Sequence, residues 1–252
     1  HAGGKEARTI LESSREKCAS VLGVKSEQIY FTSGGTESNH IPLLSVLNRP
    51  KKGTVLLSSI EHPANREMAS SLQKCGWKTV FIPSSSDGII TPASVEKCLS
   101  DDTVFVSIMA VNNETGAIQP VYEIAELLKK FYSGKRKPKF HIDCVQAYGK
   151  ISINAKKLGA DLITVTAHKI HGPKGVGALY INKDAHLTNQ NFARTFGGEQ
   201  ERKIRPGTEC SPLIAGFGEA VRALPDIAKQ SEKISELNAY TRERLGEIDG
   251  II

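Results

Sequence analysis

The chain has 252 residues, 39% hydrophobic and 24% charged, with 33 Lys and Arg against 27 Asp and Glu, a net charge of +6. That length supplies one large domain, or one with part of a second, and the ordinary composition excludes a disordered or low-complexity chain. The longest apolar run, residues 104–111 broken by Ser107, is too short to cross a bilayer. No signal-peptide pattern opens the chain, and the basic run at residues 135–139 lacks interleaved aromatic rings, so neither a membrane nor a nucleic acid is an expected partner.

Apolar spacing predicts a helix over residues 5–22, ended by Gly23, and a strand over 28–32. Further strands are predicted at 53–58, 78–82, 103–110, 139–142 and 161–166. Helices at 37–47, 64–75, 92–99 and 121–132 fall between most of them and are read as covering the sheet faces. This alternation predicts an α/β fold with a mainly parallel sheet covered by helices. After Pro212 the pattern turns to an apolar helix over 213–224 and a charged helix over 226–247. Residues 1–218 are therefore expected to form a large domain. Residues 219–252 are expected to be a helical segment leading toward a C-terminal small domain missing from the chain. Five cysteines, Cys18, Cys75, Cys98, Cys144 and Cys210, form no CxxC pair or metal-spaced cluster, which points to a reducing, cytoplasmic setting and no metal.

In an open parallel sheet, ligands bind beyond the carboxyl ends of the strands. The first strand runs into Gly34, Gly35, Thr36 and Glu37 at a helix start, which suits a phosphate or, more simply, a turn capped by Thr36. Neither GxGxxG nor GxxxxGK[ST] is present, so a nucleotide site lacks its fingerprint. Another strand ends at Asp143, where a carboxylate can accept from a ring N–H or cap the next helix. The strand ending at Thr166 leads to His168 and Lys169. A lysine buried there has its ammonium disfavoured and becomes available for imine formation. Pyridoxal 5'-phosphate requires an imine-forming lysine, an acid opposite the pyridine nitrogen and a phosphate cradle. Lys169, Asp143 and the Gly35-Thr36 turn are candidates for those three parts. His62 follows a fourth strand and can stack on a flat ring. Asn113 follows a fifth and can bond a phenolic oxygen or hold its own turn.

The motifs FTSGGTESN at 31–39, EHPA at 61–64, VNNETG at 111–116, HIDCVQ at 141–146, AHKIHGPKG at 167–175 and GGEQERKIRPGT at 197–208 together resemble the cysteine desulfurases. That family lies in the class V branch of fold type I pyridoxal-phosphate enzymes, close to the selenocysteine lyases. The resemblance implies Lys169 as Schiff-base lysine and proton shuttle, His62 stacked on the ring and Asp143 on the pyridine nitrogen. It implies Gln146 and Asn113 at the phenolic oxygen and substrate side, and Gly35, Thr36, Thr166 and His168 around the phosphate. Thr208 would reach the phosphate of a neighbouring subunit, which implies a homodimer. The implied substrate is L-cysteine, deprotonated at Cα by Lys169, with its sulfur taken by an enzyme thiolate and passed to a sulfur-acceptor protein. Neither Cys144 nor Cys210 sits where the family carries that thiolate, and Gly198-Glu199-Gln200 departs from the usual Gly-Gly-Gly-Gln. Selenocysteine lyase, another class V activity or a non-catalytic scaffold are the alternatives.

Overall fold

The computed structural model describes residues 2–185 and 195–250. Helix α1 (Ala2–Leu22) buries Leu11, Arg15, Cys18, Ala19 and Leu22, and steps of three and four residues put them on one stripe. It stops where Gly23 takes a φ of 67°, the left-handed cap that glycine adopts without a Cβ penalty. The later helices are α2 (Gly35–Ser45), α3 (Pro63–Lys74), α4 (Pro92–Cys98), α5 (Val121–Phe131), α6 (Ala155–Leu158), α7 (Ser211–Arg222) and α8 (Ile227–Gly246). Proline opens α3 and α4, where its missing N–H has no intrahelical partner to lose. Thr91 Oγ1 caps α4 by accepting from Ser94 N at 3.1 Å, and Asp226 caps α8 by accepting from Lys229 N at 3.1 Å.

The strands are β1 (Ile29–Thr32), β2 (Thr54–Ser58), β3 (Lys78–Ile82), β4 (Thr103–Met109), β5 (Lys139–Asp143), β6 (Leu162–Thr166) and β7 (Gly177–Ile181). They form one sheet in the order β1-β7-β6-β5-β4-β2-β3. Six strands lie within a residue of their expected bounds. The strand β7 and the short helix α6 were not expected. Strand β7 follows β6 across a glycine-rich loop with no α-helix between them, so the strand-and-helix alternation that marks the other strands does not announce it. It pairs antiparallel with both β1 and β6, while β2 to β6 pair parallel with one another. β7 therefore runs against the other six. This keeps β1 in the same direction as β6, and the carboxyl ends of six strands share one edge.

Alternation along the strands sends Val106, Ile108, Leu56 and Ile163 into one core with α1, α5 and α7. Val55, Leu57, Phe105 and Leu179 go into the other with Leu43, Leu72 and Trp77. Helix α2 is not the amphipathic element expected, because its inner side carries Ser38, Asn39, Pro42 and Ser45 along with Leu43. Helix α8 has no buried residue among those described.

Gly177 begins β7 against the turn after β1. A Cβ there would lie 2.7 Å from the Gly34 carbonyl carbon and 2.9 Å from Val165 O, with backbone on both sides and nothing able to rotate away. Gly177→Ala is expected to destabilise the fold by about 1–3 kcal/mol, read as a lower denaturant midpoint at unchanged slope.

Candidate active site

The shared edge forms a cavity of about 250 Å³ lined by Gly35, Thr36, Asn39, His62, Met109, Asn113, Asp143, Val145, Gln146, Thr166, His168 and Lys169. Nine of the ten site residues read from the sequence thus meet around one space. The tenth, Thr208, is exposed and borders a separate depression of about 220 Å³ with Ser33, Gly175 and Arg205.

Asp143 ends β5 and is 4% exposed. Its Oδ2 accepts from Asn39 Nδ2 at 2.7 Å and its Oδ1 from Val145 N at 2.9 Å. Burial raises the pKa of this carboxyl, against the hydrogen bonds from Val145 and Asn39 and the nearby His62, which favour the charge. Asp143 does bond to the backbone of the next turn, and Asn39 orients its other oxygen toward the cavity wall. The Oδ1 of Asn39 is buried without a hydrogen-bond partner. An unsatisfied buried carbonyl beside a buried acid is an exception among native polar groups.

At the start of α2 the cap is Gly34, with no side-chain cap, which removes the alternative that Thr36 serves as N-cap. Thr36 is exposed at the helix mouth instead. A Cβ on Gly35 would lie 3.0 Å from Val145 Cγ2, so glycine keeps the backbone close to the cavity. Free N–H groups and the positive end of α2 point at this corner. Glu37 anchors the turn by accepting from Ser33 N and, at 3.0 Å, from Arg205 Nε. Burial alone would raise its pKa, but those bonds outweigh it and the pKa is lowered.

His62 is the N-cap of α3, its Nδ1 accepting from Ala64 N at 3.1 Å, which in the neutral ring puts the proton on Nε2. The Asn-rich turn after β4 is held by Asn112, whose Oδ1 accepts from Glu114 N at 3.0 Å and Thr115 N at 2.9 Å. Asn113 is not needed for that task and lines the cavity. Gln146 Oε1 accepts from Lys150 Nζ at 2.9 Å. Burial, and then the charge of Lys169, lower the Lys150 pKa.

Lys169 sits in a single 3₁₀ turn, Ala167–Ile170, between β6 and β7. It is exposed, not buried among apolar neighbours as its sequence context suggested. The apolar residues beside it, Ala167 and Ile170, turn inward to the core and leave the lysine and His168 facing outward over the cavity. Thr166 Oγ1 donates to Val176 O at 3.1 Å and lies 3.2 Å from His168 Nδ1. The His168 pKa is lowered by burial and then by Lys169 and Lys174.

Asn39 and Glu61 were not singled out as site residues. Asn39 lay inside a quoted motif, and an amide on the buried side of a helix is the signal that could have found it. No cysteine lines the cavity. Cys144 is buried, its thiol raised well above its ordinary pKa by burial and then by Asp143. Cys18 is pushed up to about 12, chiefly by burial. Among the described residues no group of three or more His, Cys, Asp or Glu could hold a metal ion, and no helix is long and apolar enough to cross a membrane.

Removing the acid without changing its shape tests its part in the site. Asp143→Asn is expected to lower turnover by roughly a hundredfold with little change in fold, measured against the unsubstituted protein at saturating substrate.

The aminotransferase class-V family profile matches residues 1–252. Cysteine desulfurase IscS of Dictyoglomus turgidum is 40% identical over 243 residues, covering 95% of this chain and 59% of its own length. The mitochondrial cysteine desulfurase of Saccharomyces cerevisiae is 38% identical over 226 residues, covering 89% of this chain and 44% of its own. The chain thus spans at most about three fifths of these curated relatives. A solved NifS-like protein superposes with a TM-score of 0.87 at 36% identity, covering 98% of this chain and 66% of that one. SspA in complex with cysteine superposes at 0.84 with 30% identity, covering 95% and 68%. With the profile matched from end to end and a fold type I sheet beneath it, the chain belongs to the aminotransferase class-V family, whose members use pyridoxal phosphate.

Proposed function

We propose that this chain is the cofactor-binding part of a pyridoxal-phosphate-dependent cysteine desulfurase that takes sulfur from L-cysteine and leaves L-alanine. The observation that carries the reading is the convergence of Lys169, Asp143 and the Gly35 turn on one cavity. The unsatisfied Asn39 carbonyl and the close-approach glycine at 35 suit the bound group.

Pyridoxal phosphate supplies a carbonyl carbon for imine chemistry and an electron sink for the carbanion at Cα. Lys169 would hold the cofactor through its amine, and its Nζ would accept the Cα proton. Asp143 would face the pyridine nitrogen and favour its protonated form. The imidazole of His62 would pack on the ring, and Asn113 and Gln146 would serve its phenolic oxygen and substrate side. Gly35, Thr36, Thr166 and His168 hold the phosphate at the positive end of α2.

The thiolate that takes the sulfur is not among the residues lining this cavity. In the proposed homodimer, Thr208 reaches the phosphate of the second subunit, which accords with its exposed position away from its own cavity. A sulfur-acceptor protein receives the product sulfur. We assign residues 1–218 to the cofactor-binding unit and 219–252 to the helical segment leading from it. Five free cysteines accord with a reducing, cytoplasmic setting.

Full-length protein carrying this segment, given L-cysteine and a thiol reductant, is expected to release sulfide and alanine in equal amounts. Turnover confined to selenocysteine, or transamination of alanine without sulfide, would replace this reading with another class V activity.

A further inference from the structure

Glu61 is a carboxylate with 3% exposure that takes no part in the chemistry assigned above. Its Oε1 accepts from Ser58 Oγ at 2.6 Å and from Met109 N at 2.7 Å, and its Oε2 accepts from Asn65 Nδ2 at 2.6 Å. Those donors belong to the end of β2, the end of β4 and the first turn of α3. Ser58 and Asn65 flank Glu61 on the short link from β2 to α3, while Met109 reaches it across 48 residues, so one side chain ties that link to β4.

Two of the arms end on the cavity. His62 is the next residue in the chain, and Asn65 N donates to its carbonyl at 2.9 Å. Met109 lines the cavity and is the register partner of Asp143. Beyond Met109, Asn112 Nδ2 returns to Ile60 O at 3.1 Å, so the turn that presents Asn113 is tied to the same spot.

We propose that Glu61 is a positioning residue of this site, whose carboxylate clamps β2, β4 and α3 together and so fixes His62 and Asn113 around Asp143. The inference rests on the pyridoxal-phosphate reading of the cavity. Buried hydrogen bonds are directional and costly to leave unmade, and a site loosened by an ångström loses much of its grip on a ligand. A core residue of merely matching volume would not require three donors from three elements.

One detail separates the clamp from the charge. The Oδ1 of Asn65 is buried without a partner. A half-turn of that amide presents Oδ1 instead of Nδ2, so it can accept from the new amide in Glu61→Gln while Ser58 and Met109 still donate to the remaining oxygen. Glu61→Gln thus retains the clamp without the charge, and Glu61→Ala removes it.

The test uses full-length protein titrated with pyridoxal phosphate, reading its dissociation constant and the visible circular dichroism of the saturated form. The dichroism reports how the ring is held. Glu61→Ala is expected to weaken binding about tenfold and to lose at least half of the band at saturation. Glu61→Gln is expected to stay within about threefold with the band retained. Wild-type affinity and dichroism in Glu61→Ala would overturn the clamp, as would equal impairment of the two variants, since charge would then be what matters. If Glu61→Ala does not fold, Asn65→Ala severs the α3 arm alone and should diminish the band, and an unchanged band overturns the proposal. Failure of the unsubstituted protein to bind pyridoxal phosphate would instead overturn the functional reading beneath it.

Discussion

Borohydride treatment of the protein loaded with pyridoxal phosphate is expected to fix the cofactor on the peptide containing Lys169, and Lys169→Ala to fix none. The variant should also lose turnover by at least about a thousandfold, because in the proposed reading one amine both holds the cofactor and carries the Cα proton. Lys150, bonded to Gln146 at 2.9 Å, is the nearby cation that could be suspected of substituting. Label on Lys150, or on any lysine other than Lys169, would sink the assignment. Since Lys169 is exposed on its turn, alanine there should leave the denaturant midpoint almost unmoved, which separates lost chemistry from lost structure.

The largest stability effect is expected at a distance from the cavity. Arg15 on α1 is 4% exposed and its guanidinium donates to both oxygens of Glu201, at 2.7 and 2.8 Å. It also donates to Ile29 O at 2.9 Å and lies 4.7 Å over the Phe31 ring. Burial alone would lower the Arg15 pKa, and the Glu201 carboxylate more than offsets it, so the pKa is raised. Glu201 accepts in addition from Phe31 N at 2.8 Å. It does so from a backbone with three successive left-handed residues, Glu201, Arg202 and Lys203, at φ 44°, 51° and 66°. Such a turn persists only where its surroundings over-determine it. Glu201→Ala should cost about 3–5 kcal/mol, because it leaves the buried guanidinium without its bidentate partner, with Glu12 at 3.2 Å and the Ile29 carbonyl remaining. A double-mutant cycle with Arg15→Met reads the pair: the double variant should be more stable than Glu201→Ala alone. If the two losses simply add, the bidentate pair is not what holds this segment.

Legibility in the sequence followed the range of the interaction. Helices with a 3.6-residue apolar period or a proline at their first turn, such as α1, α3 and α5, could be read directly, and so could strands that end in a polar or glycine step. Strand β7 could not, since only a glycine-rich loop separates it from β6 and no α-helix marks the step between them. Its omission did not disturb the cavity, because it runs opposite to the strands whose ends build it. Lys169, Asp143 and His62 were legible because each follows a strand and carries distinctive chemistry. The partners that aim them were not. Asn39 meets Asp143 across 104 residues and Glu61 meets Met109 across 48, and nothing local in either residue announces the other. The expected burial of Lys169 failed for a related reason: apolar neighbours in sequence point away from it in a 3₁₀ turn.

Strand β7 also decides how Lys169 is tethered. Lys169 lies on the link between β6 and β7, which are neighbours in the sheet as well as in the chain, so only about ten residues need to close to set its place. The Asp143–Asn39 contact closes a span of 104 residues. By loop-closure scaling the shorter span forfeits about 2 kcal/mol less chain entropy. The lysine is held by a local hairpin, while the acid facing it depends on the whole sheet being assembled.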